Sequence, residues 1–471
     1  VNNLQVTPEH FFGIFATLLL VIIIGWLSGK KVITANDFAV SAKQSTSPLV
    51  AGTIMGTLVG GASTVGTAQL AFLFGFSAWW FTLGGGIACF ILGVFLAKPL
   101  RQKNFETIPR FLQEAYGEKA AIIAVLFIAA GMFVNIIPQI LSSTALFTSM
   151  FPLWPWLASL ITVSLMVFYV FFGGIWGTGY IGITKIALTY ISLMIGGVLA
   201  LKMLGGIGGM VAAFPSHPWL NLFGRSVNDD LAAAISLLMG VLSSQIYFQA
   251  IFSARDLKSA RNGALISTML GPLIGLAAIV IGLFMQANHP EINASLALPL
   301  FVVWYLNPWF AGVVQATLLL TAIGTGAGLS LGLSTMLCRD VYQRLHPEAD
   351  DTRVLHSFRL LIIAILALAL LIAYIFGQNG LILQWSYMSL SIRGAAVFFP
   401  LMAALFIKRK VSHTTAILAV VAGPASVIFG GILVPWDVNP MYLGLFVSLF
   451  IIVSGYLRPG NKISLPNNQS E

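Results

Sequence analysis

The stretch Gly52–Gln69, GTIMGTLVGGASTVGTAQ, decides the reading of this chain. It lies inside an apolar run that extends from Leu49 to Trp80, long enough to cross a bilayer. Its middle, Val59-Gly60-Gly61-Ala62-Ser63-Thr64, is poor in helix formers, and each glycine in a helix interior costs about 1 kcal/mol relative to alanine. Backbone groups freed at membrane depth are tolerated only where protein or a cavity receives them. A membrane helix interrupted at its midpoint is therefore a candidate ion and substrate site. Close packing of two helices through the same small residues is the alternative.

Composition sets the solvent. Of 471 residues 58% are hydrophobic and only 8% charged, with a mean hydropathy of +0.93. That excess of apolar surface defines an all-α polytopic membrane protein. Two cysteines, Cys89 and Cys338, sit far apart in apolar runs, which excludes a disulfide framework and a metal-ligand spacing. The first apolar run has Glu9 upstream and lysines downstream, the reverse of a cleavable leader.

Thirteen spans are expected, near residues 10–28, 47–76, 78–99, 120–149, 153–172, 178–203, 229–252, 261–286, 309–338, 357–376, 380–406, 413–434 and 438–456. The loops that would share one face hold Lys30, Lys31, Lys43, Lys98, Arg101, Lys103, Arg110, Lys119, Arg255, Lys258, Arg261, Arg339, Arg344, Arg353, Lys408, Lys410, Arg458 and Lys462 among others. The opposite loops hold only Lys202 and Arg225. This asymmetry puts the first set in the cytoplasm, the amino terminus outside or in the periplasm, and the chain in the cell (inner) membrane. It also accounts for the net charge of +9 without nucleic acid. Thr107-Ile108-Pro109 should start a short amphipathic helix on the cytoplasmic face. Leu296–Leu306 is too short to span and should pack over the outer mouth, and the polar tail from Pro459 should be disordered.

Three cations remain inside the spans, Lys185, Arg359 and Arg393. Arg359 is close enough to a helix start to snorkel. All 15 acidic residues fall in loops or at span ends, so no carboxylate is expected in the hydrophobic middle. The six histidines, His10 among them, also fall there and should be solvated.

Several segments together resemble the sodium:solute symporter family. They are Asn36-Asp37-Phe38-Ala39-Val40-Ser41, Glu106-Thr107-Ile108-Pro109-Arg110-Phe111-Leu112 with Tyr116-Gly117, and Gly173-Gly174-Ile175-Trp176. Gln245–Gln249 followed by Ser253-Ala254-Arg255-Asp256, and Ser334-Thr335 with Asp340 and Tyr342, complete the set in order along the chain. The resemblance implies a leucine-transporter-type 5+5 inverted repeat with two broken helices. Residues 1–46 would form the first span and a loop, and 47–406 the transport core, with repeats 47–203 and 229–406. Residues 407–471 would form two peripheral spans and a short tail. The breaks should fall in the second and seventh spans, each preceded by a matching tetrad, Met55-Gly56-Thr57-Leu58 and Met239-Gly240-Val241-Leu242.

The resemblance also implies a sodium site between the second and ninth spans, built from carbonyls near Gly56 and Val59 and two adjacent hydroxyls of the ninth span. Here that pair reads Gly324-Thr325, so one hydroxyl is missing. The family's sixth-span pattern T-D-x-x-Q aligns with Ile181-Gly182-Ile183-Thr184-Lys185, which replaces an aspartate by Gly182 and a glutamine by Lys185. A cation about 4 Å from sodium repels it by about 4 kcal/mol at an effective dielectric near 20. Lys185 is therefore expected to stand in for the ion, making transport proton-coupled. The alternative has Lys185 extending to cytoplasmic water while sodium binds beside Thr321 and Thr325.

Arg393, midway along the eleventh span, would meet a carboxylate brought by the solute, or else latch helix-end carbonyls. Other candidate pocket residues are Thr57, Gly60, Ser63, Thr64 and Gln69 on the second span, and Asn135 and Gln139 beside Pro138 on the fourth. Ser244, Gln245, Tyr247 and Gln249 on the seventh and Tyr387 on the eleventh complete the candidates. Phe76, Trp79, Trp80 and Phe81 would close the outer side or form an interfacial belt. The expected function is symport of a small polar, anionic organic solute by alternating access, with H+ or Na+ as coupling cation and no cofactor. The partners are the solute, the cation and the bilayer. A solute sensor of the same fold would need a separate signalling partner. No Ser/His/Asp or metal constellation supports an enzyme.

Overall fold

The computed structural model describes residues 6–29, 45–103, 107–173, 180–338, 348, 351–377, 380–407, 411–433 and 439–457. The segments Asn36–Ser41, Glu106, Gly174–Trp176 and Asp340–Tyr342 and the tail from Pro459 lie outside them. Among the described residues no strand forms, and the thirteen expected segments each fall on a helix or a pair of helices. Among the described residues, nine continuous helical stretches are long and apolar enough to cross a membrane, ten with one bent pair counted as a span.

The chain begins with α1 (Pro8–Gly29). The second span comes in two pieces, α2 (Ser47–Leu58) and α3 (Thr67–Phe74), joined through Val59, Gly60 and a widened turn over Ala62–Gly66. Then α4 (Trp80–Ile91) runs through a second widened turn into α5 (Ala97–Lys103). The short α6 (Ile108–Tyr116) starts at Thr107, whose hydroxyl accepts from the Arg110 N–H, as the cap signature required. The fourth span is α7 (Glu118–Val134) and α8 (Ile137–Met150), kinked at Asn135–Ile136 just before Pro138. After α9 (Pro155–Gly173) and α10 (Tyr180–Met203), α11 (Gly206–Ala213) closes the first half.

The second half repeats the pattern. Its broken span is α12 (Val227–Val241) and α13 (Gln245–Ser253), bent by 46°. The long α14 (Leu257–Asn288) leads to α15 (Ala297–Tyr305), the short apolar helix expected over one mouth. There follow α16 (Pro308–Leu337), α17 (Asp351–Phe376), α18 (Ile382–Phe406), α19 (His413–Leu433) and α20 (Pro440–Leu457).

Glycine contacts along α14 give the path of the second and third spans. Gly263 lies on Val50, Gly271 on Leu58 and Gly282 on Ala68–Phe72. The chain then returns, with Thr82 on Gly275, Gly86 on Pro272 and Gly93 on Ala264. It therefore reverses between Phe74 and Trp80, at Gly75. There φ is +62°, and the Trp219 carbonyl fills the space a Cβ would need. Such glycine and alanine crossings, also Gly197 against Ala277 and Gly13 against Gly312, let helix backbones approach where apolar burial alone does not drive helices together.

One expectation about a polar residue is corrected, and another polar residue is more deeply placed than its position suggests. His10 is not solvated: it is 2% exposed, packed on Gly312 at the α1–α16 crossing, with Nδ1 bonded to Thr7. Asp230, although at the first turn of α12, is fully buried in an ion pair with Arg225 at 2.7 Å. Trp79 and Trp80 anchor structure by donating their indole N–H groups to the carbonyls of Pro272 (3.0 Å) and Leu222 (2.8 Å).

Candidate functional site

The second span stops being a helix where the glycines lie. Val59 takes extended angles (φ −90°, ψ 102°), although its N–H still reaches Met55 O at 2.8 Å. The next two amides lose their helical acceptors. Gly60 N–H donates to Ser63 Oγ (3.0 Å), and Gly61 N–H donates to Gln139 Oε1 of α8 (2.8 Å). Ser63 and Thr64 hydroxyls in turn donate to Gly60 O, both at 3.0 Å. Side chains thus take over the backbone bonding that the break forfeits. Gln139 is 2% exposed, and no helix ladder replaces its oxygen. Gln139→Leu should therefore strand the Gly61 amide at about 1–3 kcal/mol. The expected result is a melting temperature several degrees lower in detergent, and an unchanged one would show that the amide has another partner.

The ninth span passes beside this break. Thr325 Cγ2 and Gln139 Oε1 flank the space in front of Gly60, and Gly326 abuts Gln139. Lys185 of α10 extends to the same place. Its Nζ donates to Thr325 Oγ1 at 3.2 Å and to Thr321 O at 3.4 Å. Thr189, one turn on, donates to Lys185 O (2.8 Å) or pairs with Thr321 Oγ1 (2.9 Å), fixing α10 against α16. Gly56 packs on Ile186 of the same α10, and the nearest atoms to a Cβ at Gly324 are 3.9 Å away on Tyr169. The ammonium lies on the one ninth-span hydroxyl, Thr325 Oγ1, that the resemblance assigns to a sodium ion. Thr189 escaped the sequence reading; its signal was a hydroxyl one helical turn after an intramembrane lysine.

Arg393 lies 6% exposed at the other break. Its Nη1 donates to Ser244 Oγ (2.9 Å), Nη2 to Ser389 Oγ (2.9 Å) and Nε to Ser389 O (3.3 Å). Ser389 Oγ donates to Gly131 O (2.6 Å), and Ser244 Oγ to Gly240 O (2.6 Å). The guanidinium therefore joins α18, α7 and the end of α12. Tyr247 is buried in the first turn of α13. Asn135, half-buried, accepts from Ser386 Oγ at 3.3 Å.

Other candidates are placed differently. Gln69 is in the first turn of α3, where Nε2 donates to Gly380 O (3.2 Å) and Oε1 accepts from Ile382 N–H (2.8 Å), so it holds the start of α18. Gln245 Oε1 accepts from Ile108 N–H (2.7 Å), tying α13 to the amphipathic α6. Thr57 bonds its own helix at Thr53 O (3.3 Å), and Gln249 is exposed. Among the described residues, no three His, Cys, Asp or Glu side chains are grouped as metal ligands.

Two half-helix pairs, broken at matching points and flanked by polar side chains of neighbouring helices, define an inverted-repeat secondary transporter. Residues 38–423 match the sodium:solute symporter family. The chain belongs to that family, and so to transporters rather than enzymes. It is 24% identical over 443 residues to the human high affinity choline transporter 1, covering 85% of this chain and 73% of that one. To the Vibrio parahaemolyticus sodium/glucose cotransporter it is 23% identical over 469 residues, covering 89% and 86%. In fold it is similar to a Na+-coupled sialic acid symporter solved in a substrate-bound outward-open state. The TM-score is 0.72 at 16% identity, over 98% of this chain and all of the other. A nucleobase-cation-symport-1 transporter, Mhp1, matches with a TM-score of 0.54.

Proposed function

We propose that this symporter couples solute import to protons, with the Lys185 ammonium occupying the place of a sodium ion. The observation that carries this reading is the Lys185 Nζ contact with Thr325 Oγ1 and Thr321 O. A bound sodium would have to share those oxygens with a fixed or transient positive charge, at a cost of about 4 kcal/mol for a separation near 4 Å. The missing ninth-span hydroxyl at Gly324 removes a further ligand. The solute in this reading is a small polar organic anion. Half-buried Lys185 and buried Arg393 supply positive charge to an interior where the expected spans carry acidic residues only at the start of the seventh. The amino terminus is outside, the lysine-rich loops are cytoplasmic, and residues 47–406 form the moving core.

Sodium coupling is the second reading, favoured by the family itself and by the coupling named for the sialic acid symporter. Proteoliposomes separate the two. With an inward proton gradient and no sodium, the proton reading expects uptake above equilibrium. Uptake that stays at equilibrium there, and rises only when sodium is added, overturns it.

A further inference from the structure

At the end of the molecule opposite the lysine-rich loops, residues 214–226 fold back onto the second and third spans. Phe76 N–H donates to Trp219 O (2.8 Å) and the Trp80 indole to Leu222 O (2.8 Å). Gly224 is pressed against the carbonyls of Pro218 and Phe74. This anchored segment ends at Arg225, directly before α12.

Arg225 is held on two sides. Its guanidinium pairs with Asp230 at 2.7 Å, and its own backbone N–H donates to the other oxygen of that carboxylate at 3.1 Å. The Asp230 side chain is completely buried and that of Arg225 only 15% exposed. A carboxylate in that position needs its cation, so the arginine has little freedom to leave. Beyond the ion pair, the guanidinium carbon lies 5.8 Å from the centroid of the Tyr387 ring on α18. Phe81 of α4 meets the same ring edge-on at 5.6 Å. The Tyr387 hydroxyl is buried with no hydrogen-bond partner among the described residues, so the ring rather than the hydroxyl is what these groups engage.

Three elements from different parts of the chain thus converge on one ring: the start of the third span, the lead into the seventh, and the eleventh. We infer that Arg225 is a positioning residue for transport, which through Tyr387 holds the solute path shut at this end. The ion pair is internal to the lead into α12 and survives opening. The contact between cation and ring joins that lead to α18, and is the one that opening breaks. Gln69, bonded to Gly380 and Ile382, ties the same helix start to α3 and would part in the same movement.

The test needs no transported solute, so it does not depend on the proton reading. A reporter cysteine replaces Ser386, which is beside Tyr387 and 1% exposed, with Cys89 and Cys338 left in place because both are buried. A membrane-impermeant thiol reagent is applied to each face of reconstituted vesicles in turn. From the face bearing residues 214–226, S386C should label slowly, and R225Q should speed labelling about tenfold, the change that a 1.4 kcal/mol shift in the closed population produces. Y387A should do the same, whereas Y387F, which keeps the ring, should label like the parent. If R225Q is poorly folded, R225K serves, since it keeps a charge for Asp230 and loses the planar guanidinium. Faster labelling in R225K supports the assignment. Unchanged labelling in a well-folded R225Q or R225K, or fast labelling in Y387F, overturns it.

Discussion

Lys185→Met should leave a protein that exchanges solute across the bilayer but cannot concentrate it. A proton gradient of one pH unit supplies about 1.4 kcal/mol per proton, enough for a tenfold accumulation with one proton per solute. In the wild type that ratio should approach ten, and in Lys185→Met it should fall to one. Counterflow of labelled solute against unlabelled solute should continue, because Arg393 and both helix breaks are untouched. The contacts of Nζ with Thr325 Oγ1 and Thr321 O make this selective. Those oxygens also hold α16 to itself, through Thr325 Oγ1 donating to Thr321 O at 2.8 Å, so losing the ammonium does not strand them. A Lys185→Met protein that still accumulates solute on a pH gradient would remove Lys185 from coupling. The converse substitution is sharper. Gly324→Ser restores the missing hydroxyl where the nearest neighbour of a new Cβ is 3.9 Å away. Combined with Lys185→Gln, it should give an uptake that sodium stimulates. A double variant indifferent to sodium would mean that charge and hydroxyl count are not what separates this chain from sodium-coupled relatives.

The parts of this architecture that were legible in the sequence are those carried by local backbone chemistry. Both breaks follow their Met-Gly-x-Leu tetrads, at Val59–Gly60 and at Leu242–Ser244. Their causes, paired glycines in one and paired serines in the other, are short-range. Lys185 was legible because a charge in an apolar span has few places to go. The side-chain partners were less legible, since a polar residue in a membrane helix announces a partner without naming it. Gln69 and Gln139 look alike in sequence, yet one closes the start of α18 and the other receives the amide of Gly61. Gln249, one turn beyond Gln245 on α13, is exposed while Gln245 is bonded to α6. In the sequence Arg225 is a loop cation like any other. Its partner Asp230 is five residues away, but its ring contact lies on a helix of the other end of the core. Only the fold brings that pair together.

Arg393→Met should separate stability from transport at the second break. Methionine fills much of the same space without a charge, and replacing a buried ionic group by a well-packed apolar one is often neutral or stabilising, by about 1–4 kcal/mol in measured cases. The hydroxyls that Arg393 engages keep acceptors of their own, Ser389 at Gly131 O and Ser244 at Gly240 O. No buried hydroxyl is orphaned, so the melting temperature should hold or rise. Transport should nevertheless fall by about a hundredfold or more, the equivalent of roughly 2.8 kcal/mol, because the bridge between Ser389 and Ser244 is gone. A destabilised protein that still transports would invert this expectation and make Arg393 a packing residue. The same variant distinguishes how Arg393 acts. Three of the five N–H donors of a guanidinium are committed to Ser244 and Ser389, which leaves two for a solute carboxylate. If the solute is held there, organic acids that raise the melting temperature of the wild type should lose that effect in Arg393→Met, while neutral analogues shift neither protein. If acids still stabilise Arg393→Met as they do the parent, the arginine is a latch across the break. The anion must then be sought on Lys185, across the pocket at the second-span break.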